Sequence, residues 1–208
     1  DANQAFRHAD FSFPGHPYAA AGLVRVAAAT GRFAEALALA EKLYGESQNP
    51  ELAAQIGDLH GALGDTRQAD RFYQAAERLE REGWALEEPQ PAALARLLAE
   101  RDLKPDMAVE LAERAAERRR DIPTEDALAW AYYRAGRLDE AAAAATRALR
   151  TGTRDRRVLY HAAAIQHALG DEPAARSLVE AALDGHPTFD LVNAPAARAL
   201  RDELSVAD

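Results

Sequence analysis

Five alanines set a repeat. Ala36, Ala69, Ala108, Ala141 and Ala175 lie 33, 39, 33 and 34 residues apart. Four of them follow a turn glycine at a fixed distance, in Gly31-Arg32-Phe33-Ala34-Glu35-Ala36, Gly64-Asp65-Thr66-Arg67-Gln68-Ala69, Gly136-Arg137-Leu138-Asp139-Glu140-Ala141 and Gly170-Asp171-Glu172-Pro173-Ala174-Ala175. A period near 34 residues specifies stacked helix-turn-helix units, because one such unit cannot bury its apolar face alone. It also sets an expectation for function, since arrays of this kind hold other molecules more often than they transform them.

Apolar residues at helical spacing fill the intervals between breakers. The repeats are placed at 17–50, 51–83, 91–121, 123–153 and 155–187, within a single domain of residues 1–208. A capping helix at 194–204 closes the array, with Ala197, Leu200 and Leu204 inward; a solenoid needs such a cap to shield its terminal apolar face. The irregular stretch from Arg81 to Pro91 accounts for the 39-residue step and is read as a lengthened connection with Trp84 and Leu86 packed on the stack. The third repeat is the weakest, because Leu103 stands where the others carry glycine, while Pro105 opens its second helix, a position proline tolerates.

These residues resemble the tetratricopeptide repeat family. The fourth unit matches most closely, through Leu128-Ala129, Tyr132, Gly136, Ala141 and Ala148. The fifth matches through Ala163, Gly170, Ala175, Ala182 and Pro187, and the second through Ile56-Gly57, Gly64, Ala69, Tyr73 and Ala76, with His60 in place of a tyrosine-like residue. The first matches through Leu23, Gly31, Phe33 and Ala36. The resemblance covers nearly the whole chain and implies an all-α, right-handed superhelical solenoid of antiparallel helix hairpins. Ala2, Phe6, Ala9 and Pro14 have the spacing of a second helix and its closing proline one period earlier, so 1–14 is expected to be the second helix of an incomplete repeat. Such a helix leaves an apolar face around Ala2, Ala5, Phe6 and Ala9, and self-association through it is expected.

Composition narrows the chemistry. The formal charge is −9, which argues against a nucleic-acid partner, since binding that backbone needs clustered positive charge. No cysteine occurs, so disulfides, thiolate catalysis and cysteine-ligated zinc are excluded. No apolar run has the length needed to cross a bilayer and no targeting segment is recognised, so no membrane insertion is expected. The histidines, His8, His16, His60, His161, His167 and His186, include no pair at i, i+4 and no His-Glu-x-x-His, so no metal site is expected. There is no nucleophile elbow, phosphate loop or dinucleotide fingerprint. Carboxylate pairs such as Glu87-Glu88 and Asp139-Glu140 read as solvated faces, and Arg118-Arg119-Arg120 as cations at a helix end. No catalytic residue and no cofactor are expected.

In a tetratricopeptide array the first helix of each hairpin lines the concave surface. That resemblance puts Trp130, Tyr133, Arg134, Tyr160, His161 and His167 on the groove side, with Arg25, Gln55, Asp58 and Arg101 at comparable positions upstream; Tyr132 faces the partner helix. Aromatic and arginine side chains are the usual interface anchors, although Trp130 and Tyr160 also suit packing between hairpins. The expected function is a non-enzymatic protein-protein interaction scaffold that takes a protein or peptide segment in its groove. The alternative is a regulatory or substrate-recruiting domain excised from a larger enzyme or assembly factor.

Overall fold

A computed structural model describes residues 2–13, 17–83 and 91–206. Among them are twelve α-helices and no strand, the all-α helical-repeat architecture expected from the period. Trp84, Leu86, Pro14 and His16 lie outside the described residues. The backbone gathers into two compact units, 1–88 and 89–208.

The first unit holds α1 (Ala2–Ser12), α2 (Pro17–Ala29), α3 (Phe33–Glu46), α4 (Pro50–Ala62) and α5 (Thr66–Gly83), each packed on the next. The second holds α6 (Pro91–Glu100), α7 (Pro105–Arg118), α8 (Ile122–Arg134), α9 (Leu138–Leu149), α10 (Arg156–Ala168), α11 (Glu172–Leu183) and α12 (Asn193–Val206). In the second unit successive first helices touch, α6 to α8, α8 to α10 and α10 to α12, whereas α7, α9 and α11 make no comparable contacts with one another. The first helices therefore form the tighter, inner layer of that unit.

The repeat alanines Ala36, Ala69, Ala108, Ala141 and Ala175 are all buried. Their methyl groups let the two helices of a hairpin approach closely. Gly57 goes further: a side-chain carbon there would overlap the ring of Tyr73 on α5. Helix starts are capped as the sequence dictates. Asn49, Asp65, Asp121, Asp155 and Asp171 each accept a backbone N–H from the first turn of the helix that follows, satisfying donors that a helix leaves free.

Hairpin turns follow one pattern. At Gly31, Gly64, Gly136 and Gly170 the backbone is left-handed. The glycine N–H donates three residues back and the next N–H five back, as in Arg137 N to Tyr132 O (2.9 Å), a helix ending that favours glycine. The third turn corrects the sequence reading. Its equivalent residue is Asp102, not Leu103: Asp102 takes the left-handed conformation at φ 55°, and Leu103 N donates to Leu98 O. An extra residue, Lys104 at φ 46°, then precedes α7. Counting back from Ala108 by the spacing of the other repeats lands on Leu103 because it misses that insertion.

At α1, Phe6 turns onto α2 against Gly22, while Ala5 and Ala9 are exposed. The large exposed apolar side chains here are Phe11 (85%) and Phe13 (71%).

Candidate partner-binding face

The inner layer of the second unit is built on two matching registers. On α8, Asp126, Trp130 and Tyr133 occur at i, i+4 and i+7; on α10, Arg157, His161 and Ala164 do. Helical geometry places each set on one face, and α8 and α10 bring the two together.

An aromatic stack forms between them. Trp130 stacks on His161, centroids 4.0 Å apart and 11° from parallel, and on Tyr133 at 4.7 Å and 21°. Tyr160 tilts against Trp130 at 5.7 Å. Trp130, Tyr160 and His161 are 4%, 7% and 1% exposed, while Tyr133, Arg134 and His167 keep part of their surface in solvent. The stack thus has a buried base and an accessible rim. Burial first, and then the neighbouring Tyr133, push the Tyr160 phenol up to about 12.

Below the aromatic rings runs a line of charge. Glu100 at the end of α6 pairs with Arg96 (3.4 Å), Arg101 (3.2 Å) and Arg157 (3.7 Å). Arg157 continues to Asp126 (3.4 Å), and Asp126 to His161 Nδ1 (2.8 Å). His161 Nε2 faces Asn193 Oδ1 (3.2 Å), and Asn193 Nδ2 donates to Asp190 (3.0 Å). One network therefore ties α6, α8, α10 and the start of α12. Burial pushes the Glu100 carboxyl up, but Arg96, Arg101, Arg157 and His161 together hold it below its ordinary value. Asp126 is likewise raised by burial and brought below its ordinary value by His161 and the arginines. Burial opposes the charge on Arg157, and Asp126, Glu100, Asp155 and Asp190 more than offset it.

Of the sequence-predicted groove residues, the structure brings Trp130, Tyr133, Tyr160 and His161 together. Arg134 pairs with Asp102 at 2.7 Å, and Arg101 joins the network through Glu100. His167 lies 3.5 Å from Glu203 of α12. Arg25, Gln55 and Asp58 belong to the first unit, where Arg25 pairs with Glu51 (3.0 Å), Gln55 Nε2 donates to Glu51 (3.4 Å) and Asp58 accepts from the Tyr73 hydroxyl (3.1 Å). Tyr132 points to the other layer, its hydroxyl donating to Glu113 on α7 (3.0 Å) with Arg137 over its ring.

Sequence reasoning missed Glu100, Asp126, Arg157 and Asn193. The signal was present in helical phase, since Asp126 and Arg157 precede Trp130 and His161 by one turn on the same face. It also missed Glu125, fully buried and paired with Arg120 (3.3 Å) and Arg147 (2.9 Å), whereas Asp139-Glu140 is exposed as expected and Glu87-Glu88 lies outside the described residues.

Solved structures match this arrangement of hairpins. A tetratricopeptide repeat protein from Parabacteroides merdae aligns over 98% of this chain and 91% of its own, with a TM-score of 0.54 and 15% identity. The chain has the tetratricopeptide-repeat fold. The APC/C hetero-tetramer Cut9–Hcn1 contains a chain that also carries this tetratricopeptide-repeat arrangement, aligned over 97% of the present one at a TM-score of 0.53 and 18% identity. The present chain spans 38% of that longer one. No protein-family model matches the sequence, and no curated protein matches it. Among the described residues, no helix is long and apolar enough to cross a membrane.

Proposed function

We propose that the protein is a non-enzymatic interaction scaffold, and that the inner face of its second unit receives an extended or helical segment of a partner protein. One observation carries this reading. Among the described residues, three buried side-chain polar atoms lack a hydrogen-bond partner: Gln55 Oε1, Trp130 Nε1 and His167 Nδ1. All three belong to residues that the tetratricopeptide-repeat resemblance assigns to the groove. A buried polar atom left unpaired costs about 1–3 kcal/mol, and folded proteins keep few of them. Two of the three lie in the second unit, Trp130 stacked under the accessible ring of Tyr133 and His167 near the end of α10.

The division of labour follows from burial. Trp130, Tyr160 and His161 form a rigid base, and Tyr133 and Arg134 supply contact area and directional hydrogen bonds. Residues of these types, backed by a fixed layer, each contribute about 2 kcal/mol or more at interface centres. The fold itself serves many unrelated partners, so the reading rests on this site rather than on the likeness to solved structures.

The test is capture from the source cell with immobilised protein, repeated with a Tyr133→Ala, Arg134→Ser double variant of unchanged melting temperature. Loss of specific partners supports the inner face as the contact surface. An unchanged set of partners removes it.

A further inference from the structure

A second surface lies on the edge where α7 leads into α8 and α9 into α10. Segments 118–121 and 147–155 hold six arginines, Arg118, Arg119, Arg120, Arg147, Arg150 and Arg154, against two aspartates, Asp121 and Asp155, in a chain whose formal charge is −9. Like charges repel, so their convergence has a structural cause. The fully buried Glu125 carboxylate holds both Arg120 and Arg147, at 3.3 and 2.9 Å. Arg150 Nη2 donates to the Arg120 carbonyl at 3.0 Å, fastening one loop to the other.

Helix ends account for part of this charge. Arg118 and Arg147 lie in the last turns of α7 and α9, where cations offset the helix dipole, and Arg120 Nε caps the Ala116 carbonyl. Arg119, at the C-terminal cap of α7, is exposed and pairs with the capping Asp121. Helix ends do not account for Arg154, which is exposed and has no partner among the described residues. The two loops are joined by the Arg150–Arg120 hydrogen bond and by the shared Glu125 carboxylate, so the exposed arginines of both belong to one edge of the unit.

We propose that this arginine edge docks a short acidic segment of a protein partner, one rich in aspartate and glutamate. Arginine forks bind carboxylates in a bidentate manner, and a positive patch on an acidic molecule selects its partner and speeds encounter by complementarity. The surrounding negative charge favours a short anionic segment over a nucleic acid, whose backbone would extend past the patch into repulsion. The surface is separate from the inner face and does not depend on what that face binds.

The experiment titrates the full chain into fluorescein-labelled octaglutamate and, in parallel, into a labelled single-stranded 12-nucleotide DNA of mixed sequence, reading anisotropy at low and physiological salt. The expected result is saturable octaglutamate binding that weakens with salt and falls at least fivefold in the Arg119→Ser, Arg154→Ser double variant, whose melting temperature matches the parent. Octaglutamate binding that is absent, or that ignores the double substitution, overturns the proposal. Tighter binding of the oligonucleotide through the same two arginines also overturns it, assigning the edge to phosphate.

Discussion

His161 Nδ1 lies 2.8 Å from Asp126 Oδ1, and both side chains are 1% exposed. The other ring nitrogen faces Asn193 Oδ1. Amide orientation is set by the surrounding hydrogen bonds, and here Asp190 sets it, because its carboxylate takes the Asn193 Nδ2 donor. Both imidazole nitrogens therefore face side-chain oxygens, and the two contacts hold the ring against Trp130. Asn193→Ala removes one of them, so we expect a lower unfolding midpoint and a shifted Trp130 indole signal. An unchanged midpoint and spectrum would contradict this reading.

Removing Asp126 separates buried from exposed charge. Asp126→Ala leaves His161 and the largely buried Arg157 without their shared carboxylate. Breaking a buried pair from one side costs about 3–5 kcal/mol. Glu140→Ala removes an exposed partner of Arg137, and surface pairs of that kind contribute about 0–1 kcal/mol. Chemical unfolding of the two variants should show a large loss for Asp126 and a small one for Glu140. Similar losses at both sites would mean that the line of charge is not a structural spine.

The same network fixes how stability follows acidity. The Glu100 and Asp126 carboxyls are held below their ordinary values in the folded chain. Their stabilisation is therefore complete above the ordinary carboxylate range, about pH 4 to 4.5, and is lost as pH falls through the lower folded values. Tyr160 acts at the alkaline end, where its contribution is present below the ordinary phenol value of about 10 and lost as pH rises through about 12. Urea midpoints of the parent and Glu100→Gln should converge as pH falls from 6 to 3. Parallel curves would place the acid sensitivity elsewhere.

The third turn offers a stabilising substitution. Lys104 is left-handed at φ 46°, a conformation that strains a residue with a side chain by about 1–2 kcal/mol. Lys104→Gly removes that strain at some cost in chain entropy, so we expect a net gain of up to about 1 kcal/mol. Gly136→Ala is the reverse experiment and should destabilise, because glycine is already left-handed there. Thermal melts decide the pair, and a lower melting temperature for Lys104→Gly would contradict the strain assignment.

Much of the fold was legible because repetition writes the same physical constraint several times. Buried alanines, left-handed glycines and capping aspartates recur at one spacing, so each repeat supports the reading of the next. The third turn was misread by one residue because Asp102 adopts the glycine conformation without being glycine and Lys104 adds a position. The groove aromatics were legible through the family resemblance, which left Trp130 and Tyr160 open between packing and binding. It did not say that Trp130, Tyr160 and His161 form a buried base while Tyr133 and Arg134 form its rim. The charge network was hidden for a different reason: Asp126 and Glu100 look like the other acids of an acidic helical chain until α6, α8 and α10 stack.

The inner face of the second unit is tested most directly by mapping a bound segment in solution. A peptide selected for binding from a displayed library, titrated into isotopically labelled protein, should shift amide signals of α8 and α10 around Tyr133, Arg134 and His167, together with the indole N–H of Trp130. Shifts confined to α7, α9 and α11, with the Trp130 indole unmoved, would contradict the assignment of this face as the binding surface.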